Sequence, residues 1–163
     1  GLMVIAKNDA ARLKLQAQFQ ARTVDKVYLA LLEKKPPTLT GRVDAPITRD
    51  VNNRKRMAVQ RGGKAAVSEY TVIEHDFSGE QALVRVKLLT GRTHQIRVHM
   101  AFIGCPIVGD AVYGYRKQRL KLKRHFLHAA ELSFDHPTSG KRMTFEAPLP
   151  AGLQNVLGKL RAK

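Results

Sequence analysis

The chain has 163 residues, enough for one domain that buries roughly 70% of the surface its unfolded form exposes. Its 29 Lys and Arg stand against 13 Asp and Glu, a formal net charge of +16 at pH 7 that favours a polyanion, nucleic acid ahead of an anionic lipid surface. No window approaches the roughly 20 unbroken apolar residues of a membrane-spanning helix, and no Cys/His cluster has zinc-ligand spacing, so neither a membrane partner nor a metal is expected.

The opening GLMVIAK lacks the basic lead of a signal peptide and reads as a strand entered partway through an element. Asp9 is the expected cap of a helix to about Arg22, with Leu15 and Phe19 on one face. DKVYLALLE, residues 25–33, alternates Val27, Leu29 and Leu31 against Tyr28, Ala30 and Leu32, a strand with two usable faces. Residues 34–64 are broken by Pro36, Pro37, Gly41, Pro46, Gly62 and Gly63 into short extended pieces. They hold the densest basic run: Arg49, Arg54, Lys55, Arg56, Arg61 and Lys64. A hairpin could lay these along a phosphate backbone; a solvated loop is the alternative.

KAAVSEYTVIEHD and QALVRVKLLT follow as an antiparallel pair turning at Ser78 and Gly79, with Val84, Val86 and Leu88 inward and Arg85 and Lys87 outward. After Gly91 the period becomes helical through Ile96, His99, Met100 and Ile103. GCPIVGDAVYG is turn-rich, and YRKQRLKLKRH is a basic connector with Leu120 and Leu122 as its strongly apolar residues. FLHAAELSFDHPTSGKRMTFEAP reads as a hairpin with its loop at 136–140, and a short amphipathic helix carrying Leu153, Val156, Leu157 and Leu160 closes the chain. With no repeat and no second domain visible, the expectation is one α+β unit dominated by antiparallel strands.

TGRTHQIRVH, residues 90–99, carries the densest chemistry. The helix start favours an anion, and the planar fork of Arg97 suits a carboxylate or a phosphate, unless it lies on a solvated face. His94 and His99 are five apart and cannot form an i, i+4 metal pair; with His128 they read as structural histidines rather than catalytic ones. Asp110 stands in a turn without the clustered carboxylates that metal-assisted phosphate cleavage needs, which argues against a nuclease. Tyr28 is either core filler or a ring shown to an unstacked base. Cys105, the one cysteine, reads as small and buried, and its isolation suits a reducing, cytoplasmic compartment.

In order and spacing, GLMVIAK, DKVYLALL, PITRDVNNRKRMAV, GGKAAVSEYTVIE, LLTGRTHQIRVHMAFIGCPIVGDAVYG and FLHAAELSFDHPTSGKRMTFEAPLP resemble the RluA-like family of RNA pseudouridine synthases. The resemblance implies the pseudouridine synthase fold, a mixed and mainly antiparallel sheet with flanking helices. It implies an isomerase that turns uridine into pseudouridine in ribosomal or transfer RNA, monomeric and without cofactor or essential metal. By position, Tyr28 matches the family's pocket tyrosine and Arg97 the basic residue that pairs with the catalytic aspartate, while Ile96 matches the apolar pocket lining. Arg92, His94, Arg54, Lys55, Arg56 and Lys64 are the candidates for the flanking phosphates.

The family's aspartate belongs to the pattern R-L-D-x-x-T-S-G-L, whose glycine corresponds to Gly1, so the acid is expected five positions before it. Asp9, Asp25 and Asp110 do not replace it. On this reading residues 1–163 are the C-terminal portion of a catalytic domain whose N-terminal part is missing. Arg97 awaits the absent carboxylate, and the piece is inactive unless an N-terminal fragment of the same protein completes it. A non-catalytic RNA- or ribosome-binding module is the rival reading.

Overall fold

The computed structural model describes every residue except 78, 79, 119, 121 and 163, so the expected turn at Ser78 and Gly79 lies outside the described residues. Helix α1 spans Asp9–Ala21 and is followed by strand β1, Asp25–Leu32. The proline- and glycine-broken stretch supplies β2 (Thr40–Asp44), β3 (Ile47–Arg49) and β4 (Met57–Val59). Then come β5 (Val67–Glu74), β6 (Ala82–Leu88), α2 (Gln95–Phe102), β7 (Leu127–Asp135), β8 (Arg142–Glu146) and α3 (Ala151–Arg161). Six strands form one sheet in the order β2-β5-β6-β1-β7-β8, while β3 and β4 pair separately. Every ladder among the described residues is antiparallel, as alternating apolar and charged positions with short connections favour.

β1 is central because both of its faces are apolar. Tyr28, Ala30 and Leu32 lie opposite Val86, Val84 and Ala82 of β6. Ala30, Leu31, Leu32, Val84 and Val86 are all buried. Deleting a side chain such as Leu31 would cost about 2–5 kcal/mol, lost transfer energy plus the cavity left behind. The alternation in β6 is as read from sequence, Arg85 and Lys87 being exposed between buried Val84, Val86 and Leu88. Leu153, Leu157 and Leu160 of α3 and Ile96 and Met100 of α2 join the same core, with Leu120 and Leu122 packed at its edge. Cys105 is buried there as a free thiol.

Two local expectations are corrected. Residues 1–6 do not form a strand: Leu2 donates its N–H to the Ala129 carbonyl (2.9 Å). The edges of β7 are already occupied by β1 and β8, and the Ala130 carbonyl takes the Ala147 N–H, which leaves little ladder for a further segment. Val4 and Ala6 instead pack on Leu15, Val24 and Phe134 while Met3 and Ile5 face solvent. Asn8, not Asp9, caps α1, because Asn8 holds the extended backbone (φ −154°, ψ 169°) and accepts the Ala11 N–H. Asp9 sits inside the first turn and pairs with Arg12 at 3.0 Å.

Candidate active site

The segment 90–99 is held by a buried hydrogen-bond network. Thr90 accepts the Val67 N–H (2.9 Å) and donates to Gln95 Oε1 (2.7 Å), which also accepts the Arg92 N–H (2.9 Å). The Gln95 amide in turn donates to the Val67 carbonyl and to Ser68 Oγ, both at 3.0 Å. Ser68 Oγ lies 2.9 Å from His99 Nδ1, and His99 Nε2 lies 2.9 Å from the Ala45 carbonyl. A carbonyl only accepts, so Nε2 carries the proton, Nδ1 accepts from Ser68, and the imidazole is neutral. Burial lowers the His99 pKa in the same sense, with the bond to Ala45 and the Asp44 charge opposing it. His99 is thus structural, as expected from sequence.

Two residues earlier on α2, Arg97 has its partner within the chain, which corrects the expectation that its anion is missing. Its Nε donates to Asp110 Oδ2 (2.7 Å) and its Nη2 to Asp110 Oδ1 (2.8 Å). The Asp110 side chain is fully buried, and its Oδ1 also accepts the N–H groups of Val112 and Tyr113. Burial by itself would raise the Asp110 pKa; the Arg97 fork and those two N–H bonds outweigh it and hold the carboxyl below its usual range. The pair raises the Arg97 pKa in return, chiefly through the hydrogen bond.

Asp110 therefore does more than shape a turn, since its carboxylate joins the 110–114 segment to α2. The Gly114 N–H donates to the Asp110 carbonyl, and a Cβ at Gly114 would stand 2.2 Å from that oxygen. The same turn places the Tyr113 ring beneath two cations, Arg97 at 4.9 Å and Arg56 at 5.3 Å from its centroid. Tyr113 Oη accepts the Met57 N–H (2.8 Å) and lies 3.0 Å from His94 Nδ1. His94 itself starts α2 in the left-handed region at φ 55°. Its pKa is lowered by burial first and then by the Arg97 charge, with Asp110 opposing, which favours the neutral ring beside the Tyr113 hydroxyl. His125 is lowered by burial and by Arg97 in the same way.

The residues singled out from sequence fall into three places. Arg97, His94 and Arg56 gather around Tyr113. Ile96 and Tyr28 belong to the main core, Ile96 buried within it and Tyr28 half-buried against it, with burial pushing the phenol pKa up. Beside Tyr28 the β1–β7 register slips so that Ala130 is an extra residue on β7, a bulge of the kind that re-aims side chains. Arg92 and Lys64 line a cleft of about 440 Å³ with Arg49, while Arg54 and Lys55 are exposed beyond it on the β3–β4 turn. Asp110 and Tyr113 were the residues missed; the spacing GDxxYG was visible, but not that it clasps Arg97. Among the described residues no His/Cys/Asp/Glu group is arranged to hold a metal.

A family profile described as RNA pseudouridylate synthase matches residues 1–102. The chain is 52% identical over 161 residues to an uncharacterized RNA pseudouridine synthase of Chloroflexus aurantiacus, covering 99% of this chain and 50% of that protein. It is 47% identical over 173 residues to ribosomal large subunit pseudouridine synthase D of Pseudomonas aeruginosa, covering 99% and 53%. Human RNA pseudouridylate synthase domain containing 4 superposes with a TM-score of 0.81 at 27% identity, over 99% of this chain and 71% of that one. Human RNA pseudouridylate synthase domain containing 1 gives 0.77 at 30% identity, over 97% and 74%. The chain spans about half the length of the curated relatives it matches.

Proposed function

The chain belongs to the RNA pseudouridylate synthase family, and from that premise we propose that the complete protein isomerises uridine to pseudouridine in structured RNA. In that reaction the N1–C1′ bond breaks, the uracil turns, C5 bonds to C1′, and the C5 proton leaves while N1 gains one. Relatives named for the ribosomal large subunit favour ribosomal over transfer RNA as the substrate.

In this reading Tyr28 is the wall against which the extruded uracil stacks, and Ile96 completes an apolar pocket. Arg97 is fixed through Nε and Nη2 by Asp110, so its remaining edge is presented at a set position toward the reacting acid. The observation that carries the reading is at Gly1. Its N–H neighbour Leu2 is bonded to Ala129, the β7 residue paired with Tyr28, and a Cβ on Gly1 would meet the Ala129 backbone at 2.5 Å. A segment of five residues reaches at most about 17 Å, so an acid five positions before Gly1 comes within range of the Tyr28 ring. We therefore keep Asp110 as a structural carboxylate and assign the reacting one to the preceding segment.

Extruding a base costs roughly a few kcal/mol, which phosphate contacts from Arg92, Lys64, Arg54, Lys55, Arg56 and His94 offset. The test is release of tritium from C5 of uridine-labelled ribosomal RNA. The complete protein should release it, and the 163-residue chain alone should not; turnover by the chain alone would overturn the assignment of the acid, and none by the complete protein would overturn the function.

A further inference from the structure

Between the C-terminal half of α1 and the bend at Thr90–Arg92 lies a cleft of about 610 Å³, none of whose lining residues was assigned to RNA except Arg92. Arg22, Lys26 and Arg92 bring three cations to it, Phe19 brings a ring, Gln16 and Gln20 bring amides, and no carboxylate among the described residues lines it. Lys26 is buried and makes no ion pair among the described residues. The nearest acid in sequence, Asp25, is taken by Lys87 and Arg142. Burial lowers the Lys26 pKa, the Asp25 charge opposing it and the Arg22 charge adding to it. Three cations facing one cavity, with no carboxylate among its described lining residues, favour a bound anion.

The aromatic element is equally specific. Phe19 remains 40% exposed although it sits on a helix against the domain, and the Lys26 ammonium stands 5.8 Å from its ring centroid. Arg22 is fixed just after the helix in the left-handed region at φ 61°, its N–H bonded back to α1. Arg92 is tied through Nε to the Ala65 carbonyl at 3.0 Å and borders this cleft and the one beside Lys64 and Arg49. Lys26 precedes Tyr28 by two residues on β1, on the same face of the sheet and about 7 Å away along the strand.

We propose that this cleft holds a nucleotide of single-stranded RNA next to the target uridine, its base on the exposed face of Phe19 and its phosphates on Arg22, Lys26 and Arg92. The site deepens the RNA reading above and rests on it. It makes the RNA path run across α1, with Arg92 as the corner between two basic clefts.

The test is fluorescence anisotropy of a labelled uridine octamer with the protein, as wild type and as Phe19→Ala, Phe19→Tyr, Lys26→Met and Arg22→Gln, over a range of salt. Thermal melts confirm that each variant folds. Phe19→Ala should weaken binding about tenfold, the scale of one lost stacked base, with Phe19→Tyr restoring it. Lys26→Met and Arg22→Gln should each lower the salt slope by about one. Wild-type binding with all four variants unchanged overturns this site alone, and so does a loss confined to the two cationic variants, which marks a phosphate track without a base. No octamer binding by the wild type at low salt would overturn the RNA reading together with it.

Discussion

Arg97 and Asp110 are joined by two parallel hydrogen bonds of 2.7 and 2.8 Å across thirteen residues of sequence, with the carboxylate fully buried and the guanidinium nearly so. The pair locks the 110–114 turn onto α2. Breaking it from one side leaves a largely buried charge without its partner. Asp110→Ala should therefore destabilise the protein by about 3–5 kcal/mol in urea unfolding. A loss below about 1 kcal/mol would mean that the guanidinium finds water or another anion in the native state.

Gly114 should be nearly as sensitive. A methyl group there would fall at 2.2 Å from the Asp110 carbonyl oxygen, so the turn must open and Tyr113 must shift from beneath Arg97 and Arg56. Gly114→Ala is expected to lower stability by about 2 kcal/mol or more, at the upper end for a single substitution. An unchanged melting temperature would show that the turn does not hold the pair.

Much of this architecture is legible in the sequence, and for a physical reason. Strands announce themselves by a period of two, and Val84, Val86 and Leu88 against Arg85 and Lys87 give the buried face of β6 directly. The loop breakers likewise place the short strands between residues 34 and 64. What the sequence hides is long-range bonding between polar groups, as where Gln95 reaches Ser68 across 27 residues and His99 reaches it across 31. Asp110 could be seen to belong to a turn, but not that its carboxylate points at Arg97. The opening residues show the opposite limit, since they alternate like a strand and yet find the edge of β7 already in use.

The Ser68 hydroxyl relays between the Gln95 amide and neutral His99. Ser68→Ala leaves a buried donor and a buried acceptor unpaired, at a cost of about 1–3 kcal/mol in equilibrium unfolding. Wild-type stability in this variant would argue that the network is not continuous.

Three histidines also set a pH dependence. His99, His94 and His125 all have folded-state pKa values below the ordinary 6.5, so the unfolded chain binds protons that the folded one refuses. Their contribution is fully present above about pH 6.5 and falls away as the pH drops from there through the folded-state values. Urea midpoints should decline between pH 7 and pH 5. A midpoint that stays level or rises over this range would contradict the neutral assignment of His99.

The most direct measurement of the central claim is uridine conversion by the complete protein carrying Tyr28→Phe or Arg97→Met, with RNA affinity measured beside it. The account predicts that each substitution lowers turnover at least a hundredfold, the scale of losing one positioned catalytic group, while the affinity for RNA changes little. Turnover within a few-fold of wild type in both variants, on protein shown to be folded, would contradict it.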